Sequence, residues 1–244
     1  NTGKGDEENI GSKTTSKAIK DAREDKNVKA IVFRINSGGG SALASEVIWR
    51  ETMLAKKTKP FIVSMGDYAA SGGYYIACAA DTIIANPTTL TGSIGVFGMV
   101  PNLENFYRNK LGISIDVAKT NTYSDIGINR SLSQYEKNQI QNSIKNIYNT
   151  FIERVANGRK MNREAVDEIS QGRVWSGYDA KKIGLVDIYG GLDKAIKIAA
   201  YKAKIKDYRI TSLPKKKDPI NELIMEIEKN NNSNFSFSNS LNNN

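Results

Sequence analysis

Ser71 stands where an apolar run gives way to small residues, in the stretch FIVSMGDYAASGGYYIA at positions 61–77. Phe61-Ile62-Val63 can begin a buried strand, Ala69-Ala70-Ser71-Gly72-Gly73 reads as a tight corner, and Tyr74-Tyr75-Ile76-Ala77 continues as helix. A serine at such a corner has an exposed oxygen with unpaired backbone N–H groups beside it. A nucleophilic hydroxyl needs both: access for a substrate, and donors for the oxyanion formed on attack. Serine is also a common helix N-cap, and the stretch by itself leaves cap and nucleophile equally open.

A second stretch, RINSGGGS at positions 34–41, places three consecutive glycines between a predicted strand and a predicted helix. Such a loop can turn its amides toward a ligand. It lacks the lysine and the spacing of a phosphate-binding P-loop. An oxyanion-binding loop and a merely flexible turn are the other readings.

The chain has no histidine. Ser-His-Asp and Cys-His catalysis, and every histidine metal site, are therefore excluded from this polypeptide alone. If Ser71 attacks a substrate, its base is another residue type. Cys78 is the single cysteine, in an apolar pattern that suits a small buried hydrophobe, so no disulfide can form within the chain.

The elements that must position these residues follow from periodicity. A helix is expected over 16–24 after Thr14-Thr15, and a buried parallel strand over 28–35, VKAIVFRI. A helix over 42–55 follows, with Leu43, Val47, Ile48 and Leu54 as its apolar positions. Further strands are expected at 81–85 and 113–118, and a glycine-spaced extended stretch at 90–98, where a peptide could lie alongside. A short helix is expected over 103–110 and a polar loop over 121–132. Ser133-x-x-Glu136 is a capping box opening a long helix with Ile140, Ile144, Ile147, Phe151 and Val155 on one face. Helices over 162–169, 178–183 and 192–203, and short strands near 172–177, 185–187 and 208–210, complete the pattern. After Pro214 a short amphipathic helix is expected over 220–227, then asparagine- and serine-rich disorder over 230–244.

The 244 residues, 39% hydrophobic and 25% charged, suit a globular chain with one sizeable core. A formal net charge of +9 comes from lysines scattered except at Lys215-Lys216-Lys217 and without aromatic interleaving, which argues for a solvated surface, with weak attraction to anionic lipid as the other reading, and against nucleic-acid binding. No apolar run approaches the roughly 20 residues that span a bilayer, and no signal peptide is seen. Because the chain opens on Asn1, it reads as a fragment or a processed form.

Taken in order, RINSGGGS, SMGDYAASGGYYIA, NPTTLTGSIGVFG and GRVWSGYDAKKIGLVD resemble the signal peptide peptidase A family over about residues 11 to 210. These are membrane-associated serine–lysine peptidases. The resemblance implies an α/β, ClpP/crotonase-like fold with a mainly parallel sheet flanked by helices. It implies a flexible start over 1–12, a peptidase domain over 13–213 and a largely disordered tail over 214–244.

Residue by residue, Ser71 matches the family nucleophile, and Gly39 and Gly72 match the two oxyanion donors, with Gly38 standing where proline is usual. Ser93 matches a serine that contacts the catalytic lysine. The lysine itself is missing. Short, single-repeat members carry it just before an aspartate; here Ser124 precedes Asp125. Long members have two tandem repeats, the serine on the carboxy-terminal one and the lysine on the amino-terminal one. This chain looks like a carboxy-terminal repeat, so its base and any membrane anchor are expected outside the polypeptide. The resemblance further implies extended apolar peptides such as cleaved signal peptides as substrates, a homo-oligomer (a tetramer), an extracytoplasmic (periplasmic) catalytic domain, and neither cofactor nor metal. A crotonase-like acyl-CoA enzyme and a catalytically silent scaffold repeat are the alternatives.

Overall fold

The computed structural model describes residues 1–5 and 9–214. The chain divides into two compact units, Asn1–Lys206 and Asp207–Asn244. In the described part of the second unit, residues 207–214 form neither helix nor strand, so the strand expected at 208–210 is absent. The expected helix over 220–227 and the asparagine-rich stretch lie outside the described residues.

The first unit is built on the strand β2 (Phe61–Ala70). It pairs in parallel with β1 (Ile31–Ser37) along one edge, and with β3 (Thr82–Ala85) and then β4 (Leu90–Gly92) along the other. β3 pairs in parallel with β6 (Ile188–Tyr189), and β4 antiparallel with β5 (Val174–Ser176). Phe61 through Gly66 are all buried, as the apolar run predicts for a strand covered on both faces. Alternate residues serve the two faces. Phe61, Val63 and Met65 join the main core, whereas Ile62 packs with Ile84 against Ala195 and Ala199 of α8 (Leu192–Lys202). The main core lies under α1 (Ser12–Glu24), α2 (Ala42–Lys56), α3 (Gly72–Ala77) and α5 (Gln134–Arg159). Between these come α4 (Glu104–Leu111), α6 (Arg163–Glu168) and α7 (Gly177–Lys182).

Several expected boundaries move. α1 begins at Ser12, about one turn earlier than expected. α2 buries Ala44, Ile48, Thr52 and Ala55, while Leu43 is 67% and Val47 40% exposed. Its small inward residues let α2 lie close to its neighbours. Residues 185–187 follow the turn at 183–184 as irregular chain rather than strand, with Leu185 N–H donating to the Ala180 carbonyl, and the strand starts at Ile188. The strand expected at 113–118 does not form. Ile113, Ile115 and Val117 alternate as a strand would, yet each is exposed and no strand lies beside them among the described residues. Alternation supplies a face, but a strand also needs a neighbour to take its backbone hydrogen bonds.

The segment leading into α5 is held by charge. Arg130 reaches Asp125 at 2.8 Å and Glu136 at 2.6 Å, and Lys119 approaches Asp125 at 3.3 Å. Glu136 also completes the predicted capping box, accepting from the Ser133 N–H at 2.7 Å. These bonds, Arg130's first, hold the buried Glu136 carboxyl down at about 2 and push Asp125 below the usual carboxylate range. Because the folded-state values are depressed, the clamp contributes its full stability above about pH 4.5 and loses it as pH falls toward 2. Amide protection factors over 121–136 are expected to fall across that window before those of β2 do. Arg130→Met should remove the protection already at neutral pH. Protection in Arg130→Met equal to wild type would contradict the clamp.

Candidate active site

Ser71 sits at the turn between β2 and α3 with φ 51° and ψ −118°. A positive φ is uncommon for a residue with a Cβ and is held here by bonds on both sides. The Ser71 N–H donates to the Gly92 carbonyl at 2.8 Å, and the Ser71 carbonyl accepts from the Tyr75 N–H at 2.9 Å. The side chain makes no capping hydrogen bond. That removes the cap reading of the serine and leaves a half-buried hydroxyl without an assigned structural task. The Gly72 N–H has no acceptor among the described residues.

The glycine loop lies against this corner. Gly39 has φ +109°, and a Cβ built on it would come within 2.8 Å of both the Gly72 nitrogen and Ser71 Cβ. A Cβ on Gly72 would lie 2.6 Å from Ser45 Oγ and 3.2 Å from the Gly40 nitrogen. At Gly39 the clash is with backbone and a side chain is excluded, whereas at Gly72 a side chain would have to displace the Ser45 hydroxyl. The loop then enters α2, whose N-cap Ser41 accepts from the Ala44 N–H. The sequence therefore brings Gly39, Ser71 and Gly72 together as expected of one site. One detail differs: the Gly39 N–H is turned to Ser37 Oγ, at 3.2 Å, in an exposed hydrogen bond.

Ser93 stands one register position beyond the Ala70–Gly92 pair, beside Ser71 at the ends of β2 and β4. Its φ is 48°, and its N–H donates to the Arg173 carbonyl at 2.7 Å. A cleft of about 290 Å³ opens beside the loop, lined by residues 36–41, Ser45, Ile48, Gly72 and Ile76, with Asn1 and Ile10 from the start of the chain.

No lysine hydrogen-bonds Ser71 or Ser93 among the described residues. Among the described residues the one lysine with a lowered pKa is Lys59, pushed down by burial and bonded to the Ala22 and Asp25 carbonyls. It precedes the other end of β2, ten residues long and so roughly 30 Å from the corner. Lys119 is engaged with Asp125, and Ser124 is exposed on the loop, donating to the Asn121 carbonyl at 3.1 Å.

Sequence reasoning missed two neighbours of the site. Asn36 Oδ1 accepts from the Tyr68 N–H at 3.1 Å and lies close over Gly66, which fixes the start of the loop. A Gly inside an apolar strand was the available signal for that close approach. Glu46 in α2 accepts from the Tyr75 hydroxyl in α3 at 2.5 Å, a pairing that no local pattern announces.

A profile described as "Peptidase family S49" matches residues 53–206. Protease 4 of Salmonella typhi is 47% identical over 203 residues, covering 83% of this chain and 33% of that protein. Protease 4 of Haemophilus influenzae is 44% identical over 195 residues, 80% and 32% respectively. The chloroplastic serine protease SPPA of Arabidopsis thaliana is 43% identical over 189 residues, 77% and 28%. The chain thus spans about a third of the length of these relatives. Among solved structures, a ClpP1 mutant of Listeria monocytogenes superimposes with a TM-score of 0.50 at 16% identity, covering 76% of this chain and 86% of that one. The fold is therefore ClpP/crotonase-like, and the chain belongs to peptidase family S49, the signal peptide peptidase A family.

Proposed function

We propose that this chain is the serine-bearing repeat of a serine–lysine endopeptidase that cuts apolar peptides in extended form, cleaved signal peptides among them. The observation that carries the reading is Ser71 itself. It is held at positive φ, its hydroxyl caps nothing, and backbone amides crowd its neighbourhood. Ser71 Oγ attacks the scissile carbonyl while a neutral lysine amine takes its proton. The Gly72 and Gly39 N–H groups receive the developing oxyanion; the tetrahedral intermediate collapses to an acyl-enzyme on Ser71 as the lysine ammonium gives its proton to the departing amine, and a water deprotonated by the same lysine then attacks the ester, releasing the acid and returning the proton to Ser71 Oγ. The Gly39 N–H leaves Ser37 Oγ to do so, exchanging an exposed neutral bond worth about 1 kcal/mol for a charge-assisted one. Ser93, beside Ser71, orients the lysine.

The lysine belongs to an amino-terminal repeat of the same protein. Support comes from Ser124 at the position of the single-repeat base, from the distance of Lys59, and from the greater length of the protease 4 relatives. A lysine base must be neutral near pH 7, against an ordinary pKa of about 10.4, so it needs burial. Packing between repeats supplies it. Exposed apolar residues such as Phe97, Met99, Phe106 and Leu111 offer surface for such packing, within a homo-oligomer we take to be a tetramer. A membrane anchor outside this chain would hold the catalytic domain on the extracytoplasmic side; no described helix is long and apolar enough to cross a membrane.

Ser71→Ala in the full-length protein should lower peptide hydrolysis by several orders of magnitude with an unchanged thermal midpoint. Near-wild-type turnover would refute the nucleophile. Gly39→Ala should cost on the order of 10²–10³ in kcat, the value of one oxyanion donor, because a Cβ there collides with the corner. An unchanged kcat in folded protein would assign the donor elsewhere.

The isolated chain should show almost no hydrolysis until an amino-terminal repeat with a buried lysine is added. Ser124→Lys tests whether a single-repeat dyad can be rebuilt. Robust Ser71-dependent hydrolysis by the isolated wild-type chain, lost in Lys119→Ala, would place the base here instead.

A further inference from the structure

The two oxyanion N–H groups come from different segments. Gly39 precedes α2, and Gly72 opens α3. Their separation is set by how these two helices pack. Ser45 Oγ, on α2, lies where a Cβ of Gly72 would stand. The next residue, Glu46, accepts from the Tyr75 hydroxyl at 2.5 Å, the one side-chain-to-side-chain hydrogen bond between α2 and α3 among the described residues.

Tyr75 is bound at both ends. Its backbone N–H donates to the carbonyl of Ser71, and its hydroxyl reaches α2. α5 closes the bracket. Arg154 donates to Glu46 Oε1 at 2.8 Å and stacks 4.0 Å over the Trp49 ring, while the Tyr75 ring packs 4.7 Å from Phe151. Glu46 and Trp49 lie one turn apart on α2, as Phe151 and Arg154 do on α5, so each helix presents one continuous face to the bracket. Tyr75 is buried. Burial, and then the Glu46 carboxylate, push its hydroxyl well above the ordinary range, so it remains a donor throughout the neutral range.

We propose that Glu46, through Tyr75 and Arg154, is a positioning residue that fixes the oxyanion loop against the Ser71 corner. It touches neither substrate nor the reacting atoms. Its effect is on the transition state, because only there must both N–H groups point at one oxygen. The inference rests on the proposed role of Ser71 and is tested in the full-length protein, with Ser71→Ala as the control for that reading.

Tyr75→Phe and Glu46→Ala are each expected to lower kcat by about 10- to 100-fold, with KM within about threefold. The affinity of a peptide boronate, which forms a tetrahedral adduct, should fall by the same factor as kcat. The double variant should be no worse than the more impaired single one, because both remove one link. Glu46→Gln, which keeps an acceptor for the tyrosine hydroxyl, should recover most of the loss. Tyr75→Phe deletes one oxygen atom and decides the matter even if Glu46→Ala fails to fold. Unchanged kcat and boronate affinity in folded Tyr75→Phe would overturn the inference, as would a loss confined to KM. If Ser71→Ala itself retained turnover, the reading beneath the inference would fail instead.

Discussion

The exposed backbone of Gly39 lies against the Gly72 nitrogen and Ser71 Cβ with no room for a methyl group between them. This contact sets the terms for the surrounding structure. It needs a strand that delivers Ser71 to a fixed place, which β2 does with both edges paired. It needs a loop free to adopt positive φ, which Gly39 and Gly40 provide. It also needs helices that leave the corner at fixed angles, and the small buried residues of α2 allow α3 to approach. The strained φ of Ser71 is tolerated because its N–H and carbonyl are both engaged, so the hydroxyl is the part of the residue left for chemistry.

Carboxylates and guanidiniums are paired where they brace structure: Arg130 with Asp125 and Glu136, Arg159 with Asp187, Arg154 with Glu46. At the corner, by contrast, no lysine among the described residues hydrogen-bonds Ser71. With no histidine in the sequence, a base for Ser71 would be another residue type. Between Phe97 and Val117 several apolar side chains are exposed.

What could be read from sequence was what depends on neighbouring residues. The apolar run from Phe61, the small-residue corner and the glycine loop announce themselves over a few positions, as does the capping box at Ser133. The meeting of Gly39 with Gly72, across 33 positions, became legible only through the family resemblance. Glu46 with Arg154, across 108 positions, carried no signal of either kind. Ile113–Val117 shows the opposite failure. Its alternation is a true local preference, but no neighbouring strand takes its hydrogen bonds, so the preference goes unused. Leu43 and Val47 make the same point for α2, where the core selected the smaller residues on the other face.

The central claim is that Ser71 is the nucleophile of a site completed by a second repeat. Labelling with a fluorophosphonate followed by peptide mapping tests it most directly, because the reagent bonds to the activated hydroxyl and nowhere else on an inert surface. The full-length protein should carry one adduct on the peptide containing Ser71, and the isolated chain should label far more slowly. No adduct at Ser71 in active full-length protein, or an adduct on another serine that abolishes activity, would contradict the account.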